Sequence, residues 1–164
     1  MKLLKKLTCT LLTAMMLCTT FISPVCAAES QIQEVDIINA SVTGFSSGSY
    51  NNMSRATTFI DTTITVTYIA DGMYVTITTD MNKTASAVGV KDVEIQRKDG
   101  NSWTTIAVSD GGGVTNQTGC LVSFTYPNVE YGETYRVVCT HYANVDEYRE
   151  LYHETAGFKC LYEY

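Results

Sequence analysis

The residues best suited to nucleophilic chemistry lie close together around His141. The chain has only two histidines, His141 and His153, and Cys139 precedes the first of them by two positions. A cysteine and a histidine can act as nucleophile and base when their side chains reach hydrogen-bond distance. Neighbours two positions apart on a strand lie roughly 6–7 Å apart, so we expect Cys139 in the core and His141 at a strand end. No G-x-S-x-G motif occurs, and we predict a protein without a catalytic site.

Metal binding by the two histidines would need further ligands, which Asp146, Glu150 or Glu154 could supply. The sequence has no His-x-His or H-E-x-x-H spacing, the usual signature of paired histidine ligands. The three cysteines after residue 100 are also spaced unlike zinc-binding cysteines. We therefore expect no metal and no other cofactor.

Tyrosines are the more promising side chains for recognition. The chain has eleven, and many of them come late in the sequence. Tyr142 and Tyr148 flank a predicted turn that contains Asn144 and Asp146. Exposed tyrosines beside amide and carboxylate groups could stack on a sugar ring or on a partner's side chain, and tyrosine provides a large contact area at low entropic cost. Tyrosine is also simply a favoured strand residue. The candidate ligand-binding residues are Tyr142, Asn144, Asp146 and Tyr148.

Alternation of apolar and polar residues, the mark of a half-buried strand, is clearest over 63–78. Two alternating runs flank Asp71-Gly72, a dipeptide typical of type I′ hairpin turns, in which both central residues need φ above zero. Such a turn would place Tyr68 opposite Val75. The apolar residues would then share one face and the threonines the other, so turn and pattern agree on the buried face.

Seven predicted strands at regular spacing are typical of an antiparallel sandwich or barrel. A sandwich is favoured by residues 129–137, where Tyr135 opens a strand after a glycine turn and its hydroxyl can return to the upstream backbone. We expect an all-β fold, an antiparallel Ig-like or fibronectin-III-like sandwich, with a flexible loop at glycines 111–113. The strands are predicted at 63–70, 73–78, 90–97, 103–108, 120–126, 135–142 and 148–155.

Parts of the chain resemble known modules. Residues 92–108 and 129–143 resemble fibronectin type III modules, although Tyr131 stands where that pattern has proline. The stretch from Thr62 to Phe158 is similar to a family of small secreted proteins of Gram-positive bacteria with unknown function. This resemblance implies the fold and export, and it implies no activity. It rests on Gly100, Ser102, Trp103, Tyr135, Arg136, Val137, His141, Tyr142 and Ala143.

The N-terminus has the parts of a secretory signal peptide: three lysines, an apolar run over 7–22, and small residues before a cleavage site after Ala27. A retained membrane anchor is disfavoured because the run contains five threonines and is shorter than the roughly 20 residues of a spanning helix. Lipidation of Cys26 is disfavoured because Ser23 stands where a lipobox usually has leucine. We predict a signal peptide at 1–27, a polar arm at 28–61 that could add an edge strand, a sandwich at 62–160 and a tail at 161–164.

Charge narrows the set of partners. The chain has a net charge of −6, and residues 1–27 carry three lysines and no acid, so the mature protein carries −6 − 3 = −9. An acidic domain is unsuited to nucleic acid or to anionic membrane surfaces. We predict a secreted, non-catalytic binding module for a protein or carbohydrate at the cell surface, with a structural or accessory module as the alternative and a secreted hydrolase as a weaker one.

Cysteine counting predicts one disulfide. Three of the six cysteines lie in the signal peptide, and Cys120, Cys139 and Cys160 remain. An odd number in an exported protein suggests one bond and one leftover thiol. Cys120 and Cys139 fall on the predicted core faces of two strands that meet at the same end of the domain. We therefore predict a Cys120–Cys139 disulfide and a reduced Cys160.

Overall fold

The computed structural model describes residues 37–46 and 61–161, and within these ranges it contains ten strands and no helix. The predicted signal peptide at 1–27 and residues 162–164 of the predicted tail lie outside the described residues. The strands are β1 (Ile38–Phe45), β2 (Asp61–Ile69), β3 (Gly72–Ala85), β4 (Ala87–Asp99), β5 (Ser102–Ser109), β6 (Gly112–Val114), β7 (Gln117–Tyr126), β8 (Thr134–Asn144), β9 (Tyr148–Glu154) and β10 (Phe158–Lys159).

The strands form two antiparallel sheets, which confirms the predicted all-β sandwich. The four-stranded sheet has the order β1-β7-β3-β2. The six-stranded sheet has the order β10-β8-β4-β5, with β9 also paired to β8 and β6 to β4. Strand alternation turns one side of each sheet toward the core, where buried side chains of both sheets form one cluster; among them are Val75, Ile77, Phe124, Tyr135 and Val137.

Each of the seven predicted strands is present, and three more extend the sheets. β1 lies within the predicted arm at 28–61 and pairs with β7 as an edge strand, so part of that arm belongs to the sandwich. β6 occupies the glycine segment predicted as a flexible loop. β10 adds a short pairing to the start of β8.

The β2–β3 hairpin has the predicted faces but a different register. Tyr68 is opposite Met73 rather than Val75, which is a shift of two residues. A shift of two leaves every side chain on its own face, so the buried side was predicted correctly. The prediction of a type I′ turn at Asp71-Gly72 was wrong. That turn needs a positive φ at both residues, and Gly72 has a φ of 124° whereas the φ of Asp71 is not positive. The loop is formed by Ala70 and Asp71, and Gly72 is the first residue of β3.

A bulge in β4 changes which of its side chains face the core. Lys91 is opposite Thr140 but Glu94 is opposite Val138, so β4 has one extra residue in this interval. Asp92 lies in the bulge with a φ of 51°. Such a residue interrupts the alternation of faces. Val90 and Val93, three positions apart across the bulge, therefore both face the core. Lys91, next to Val90, lies on the outer face of the six-stranded sheet.

The corner before β8 confirms the predicted role of Tyr135. Its side chain is fully buried, and its hydroxyl oxygen accepts a hydrogen bond from the backbone N–H of Glu130 at 2.9 Å. Burial raises the pKa of this tyrosine, so its hydroxyl stays protonated at neutral pH. The contact closes the turn and fixes where β8 begins.

Candidate functional site

The outer face of the six-stranded sheet carries a regular row of tyrosines and glutamates on the edge strand β9. We call Tyr148, Glu150, Tyr152 and Glu154 the Tyr–Glu ladder. Because side chains alternate along a strand, all four project from the same face. The hydroxyl of Tyr148 donates to Glu150 at 2.9 Å, and that of Tyr152 donates to Glu154 at 3.0 Å. The two tyrosines are 53% and 60% exposed, so their rings are available to a partner.

Each glutamate of the ladder is held by a cation from another strand of the same sheet. Lys91 Nζ of β4 lies 2.5 Å from Glu150, and an Arg136 guanidinium nitrogen of β8 lies 3.0 Å from Glu154. The hydrogen bond from Lys91 lowers the pKa of Glu150, and the same contact raises the pKa of Lys91. Arg136 also donates to the side-chain oxygen of Gln96 at 2.7 Å. These contacts order the ladder and leave its charges paired.

Two further aromatic side chains extend this face. The ring of Tyr142 stacks on that of Tyr148, with centroids 6.0 Å apart and planes at 29°. Tyr142 is half-buried because its side chain lies directly over Gly89 and Gly113. A Cβ on either glycine would overlap the Tyr142 hydroxyl. Trp103 of β5 lies under the guanidinium of Arg136, 4.6 Å from its ring centroid. The outer face thus combines flat aromatic surface with fixed polar groups.

The structure brings three of the four predicted binding residues together, and the fourth, Asp146, lies in the adjoining turn. Tyr142 and Tyr148 stack, as described, and Asn144 is paired with Tyr148 across the hairpin. The backbone carbonyl of Asn144 accepts hydrogen bonds from the N–H and hydroxyl of Ser86, so this residue closes the end of the sheet. Asp146 lies in the turn, where its carboxylate is 3.8 Å from Lys83.

Sequence reasoning missed most of the ladder. Glu150, Tyr152 and Glu154 were visible as a repeated Tyr-x-Glu pattern at the period of a strand, which predicts that they share a face. Lys91 and Arg136 had no comparable signal, because their contacts depend on which strands become neighbours.

A second polar cluster is buried between the sheets. His141 is fully buried, with Nε2 3.6 Å from Cys139 Sγ and 3.2 Å from Nδ1 of His153. Its Nδ1 lies 2.7 Å from the hydroxyl of Thr79, which also donates to the carbonyl of Gly89 at 3.3 Å. The expected separation of Cys139 and His141 was wrong, because the two side chains converge although their backbones are two residues apart. The position of His141 at a strand end was also wrong.

The protonation states of this cluster do not favour nucleophilic chemistry. Burial raises the pKa of Cys139 to about 12, so its sulfur is a thiol at neutral pH. Burial, and secondly the nearby His153, lower the pKa of His141 to about 4, so its imidazole is neutral. A reactive cysteine needs a thiolate. Cys139 and His141 are both fully buried, so the pair is a packed polar contact within the core.

The predicted Cys120–Cys139 disulfide is not formed, and no cysteine of the described ranges is disulfide-bonded. Both residues are buried on the predicted core faces. Their sulfurs point to different neighbours: Cys139 to His141, and Cys120 to the carbonyl of Gly112 at 4.0 Å. Burial raises the pKa of Cys120 to about 11. Cys160 is buried at the corner, where its backbone bonds to that of Gly132 and Glu133.

Among residues 37–46 and 61–161, no group of three or more histidine, cysteine or acidic side chains is arranged to hold a metal ion. The same part of the chain contains no helix with the length and apolarity needed to cross a membrane. No protein-family model matches the sequence, and no curated protein shows significant similarity to it.

Proposed function

We propose that this protein is an exported, non-catalytic binding module that holds its partner on the outer face of the six-stranded sheet. The observation that carries the proposal is the Tyr–Glu ladder, whose exposed rings are held by hydrogen bonds to ordered glutamates. Tyrosines fixed in advance lose little conformational entropy when a partner binds. Export is supported by the predicted signal peptide, and the Ig-like or fibronectin-like class by the sequence resemblance and the Tyr135 corner.

A non-catalytic role is supported by the chemistry of the contact between Cys139 and His141. Cys139 and His141 are both uncharged at neutral pH and lie inside the core. Substrate would have to open the sandwich to reach them. The exposed ladder, by contrast, presents carboxylates that are paired with cations and suited to holding a ligand in place.

A structural or accessory role is the alternative, and one observation favours it. β9 is an edge strand, and charged side chains on edge strands prevent sheets from pairing with other chains. Glu150 and Glu154, together with Arg149, would serve that purpose without any partner. Loss or retention of binding in a Tyr148→Ala, Tyr152→Ala double variant separates the two proposals.

Removal of both exposed tyrosines should weaken binding and leave the fold intact. We expect Tyr148→Ala combined with Tyr152→Ala to reduce partner retention by at least about tenfold, because aromatic contacts at a recognition surface are each worth roughly 1 kcal/mol. The partner is first identified with residues 28–164 on a glycan array and in a cell-wall pull-down. Retention is then compared between wild type and the double variant, with circular dichroism as the check on folding.

Tyr131→Ala is the matched control, since Tyr131 is 59% exposed and lies in the turn before β8, away from the ladder. It should retain full binding. If the double variant binds as well as wild type does, the ladder is not the binding surface and the structural alternative is favoured.

Export predicts a defined mature N-terminus. The predicted cleavage site after Ala27 leads us to expect that the protein recovered from the culture medium begins at Ala28 or Glu29. N-terminal sequencing or intact-mass analysis makes the measurement. An extracellular protein that still carries Met1 would contradict the signal-peptide assignment.

A further inference from the structure

The Tyr–Glu ladder consists of two chemically equivalent units. The first ladder unit is Tyr148 and Glu150 with Lys91, and the second ladder unit is Tyr152 and Glu154 with Arg136. In each, an exposed tyrosine donates its hydroxyl to the glutamate two residues later, and a cation from another strand of the sheet pairs with that glutamate. The units are four residues apart on β9, or roughly 13 Å at the rise of an extended strand.

From this repeat we infer that the partner is a linear, uncharged, β-1,4-linked polysaccharide that lies along β9 with sugar rings on Tyr148 and Tyr152. The inference rests on the proposed binding function. A surface that repeats the same chemistry along a straight line fits a ligand that repeats its own chemistry along a straight line. β-1,4-linked chains are extended, and their units carry the same ring and hydroxyl groups at every step.

Each ladder unit offers what one sugar ring requires. The C–H groups on one face of a pyranose ring stack on an aromatic side chain, and Tyr148 and Tyr152 present exposed rings for this contact. Sugar hydroxyls both donate and accept hydrogen bonds. The glutamates are acceptors, and Lys91 and Arg136 are donors. The distance between units exceeds one sugar ring, so a short oligosaccharide is needed to reach both.

The charges of this face favour an uncharged polymer. Glu94, Glu150 and Glu154 lie on the same side of the sheet as the cations Lys91, Lys98 and Arg136. Asp92, whose carboxylate is 4.0 Å from Lys91 Nζ, adds one more acidic charge beside them. The chain as a whole is acidic, so a polyanionic polymer would meet no attractive field.

A protein partner is disfavoured by the lack of apolar anchors at the ladder. Tyrosine and arginine also occur at the centres of protein interfaces, but there they fill desolvated pockets and are surrounded by contacts that exclude water. On β9 the one exposed aliphatic side chain is Leu151, which alternation places on the opposite face from the ladder tyrosines. The ladder itself offers flat rings between charged groups.

Oligosaccharide length is the variable that tests this inference. Isothermal titration calorimetry of the exported protein is carried out with β-1,4-linked oligomers of glucose, of N-acetylglucosamine and of xylose, from disaccharide to hexasaccharide. We expect at least one series to show an affinity that rises by about tenfold or more once the chain reaches both units, because the second contact is then intramolecular. Tyr148→Ala and Tyr152→Ala should each remove this rise, and Tyr131→Ala should retain it.

The outcomes separate this inference from the function on which it rests. Binding of none of the three series, or binding with no dependence on length, overturns the polysaccharide assignment. If the double ladder variant nevertheless loses a protein captured in the pull-down, the binding function stands and its partner is a protein. If the double variant changes no interaction at all, both proposals fail.

Discussion

Acidification from pH 7 to pH 5 should lower the free energy of unfolding by about 2 kcal/mol through His141 alone. In the folded protein, burial and secondly His153 lower the pKa of His141 to about 4, against 6.5 for an ordinary histidine. Below pH 6.5 the unfolded chain therefore binds a proton that the folded chain excludes. Stability falls as the pH drops through this range and levels off below about pH 4.

The measurement is urea unfolding at pH 7, 6 and 5, a window in which most carboxylates remain ionised. His141→Gln keeps a polar side chain near Thr79 and removes the titration, so we expect it to abolish this pH dependence. His153→Gln should keep most of it, since burial is the larger cause of the His141 shift. An unchanged pH dependence in His141→Gln would show that another group is responsible.

Gly72→Ala should destabilise the fold by about 3 kcal/mol, because left-handed backbone strain is combined with overpacking. Gly72 has a φ of 124°, and a Cβ there would lie 2.3 Å from the carbonyl oxygen of Tyr126 and 2.8 Å from Cα of Pro127. Both neighbours are backbone atoms, so the overlap can be relieved only by moving β3 away from β7. The midpoint of urea unfolding at pH 7 measures the loss.

Gly100→Ala is the matched control for this substitution. Gly100 also has a positive φ, of 57°, but nothing lies within 4 Å of an added Cβ. It should therefore lose only the conformational part, about 1 kcal/mol. Equal losses at the two positions would mean that the contact between Gly72 and Tyr126 contributes nothing.

Local sequence patterns were sufficient to predict the main strands of this fold. Alternation predicted the strands and their buried faces, because a strand repeats every two residues whatever its partner is. The Tyr135 corner was also predictable, since its hydrogen bond joins residues only five positions apart. The Tyr-x-Glu repeat of β9 was present in the sequence, although only Tyr148 was recognised as a candidate.

The tertiary structure decided what depends on distant parts of the chain. Arg136 reaches the ladder because β8 pairs with β9, and Lys91 reaches it from β4, which lies on the other side of β8 in the same sheet. The neighbours of the thiols also depend on distant residues. Thr79, from the opposite sheet, and His153 hold the imidazole of His141 in place. Cys139 therefore contacts His141 rather than Cys120. The sequence by itself determined the strands, their faces and the corner, since these follow from short-range geometry. Register, thiol partners and the charged half of the candidate site depend on packing between strands that are far apart in the chain.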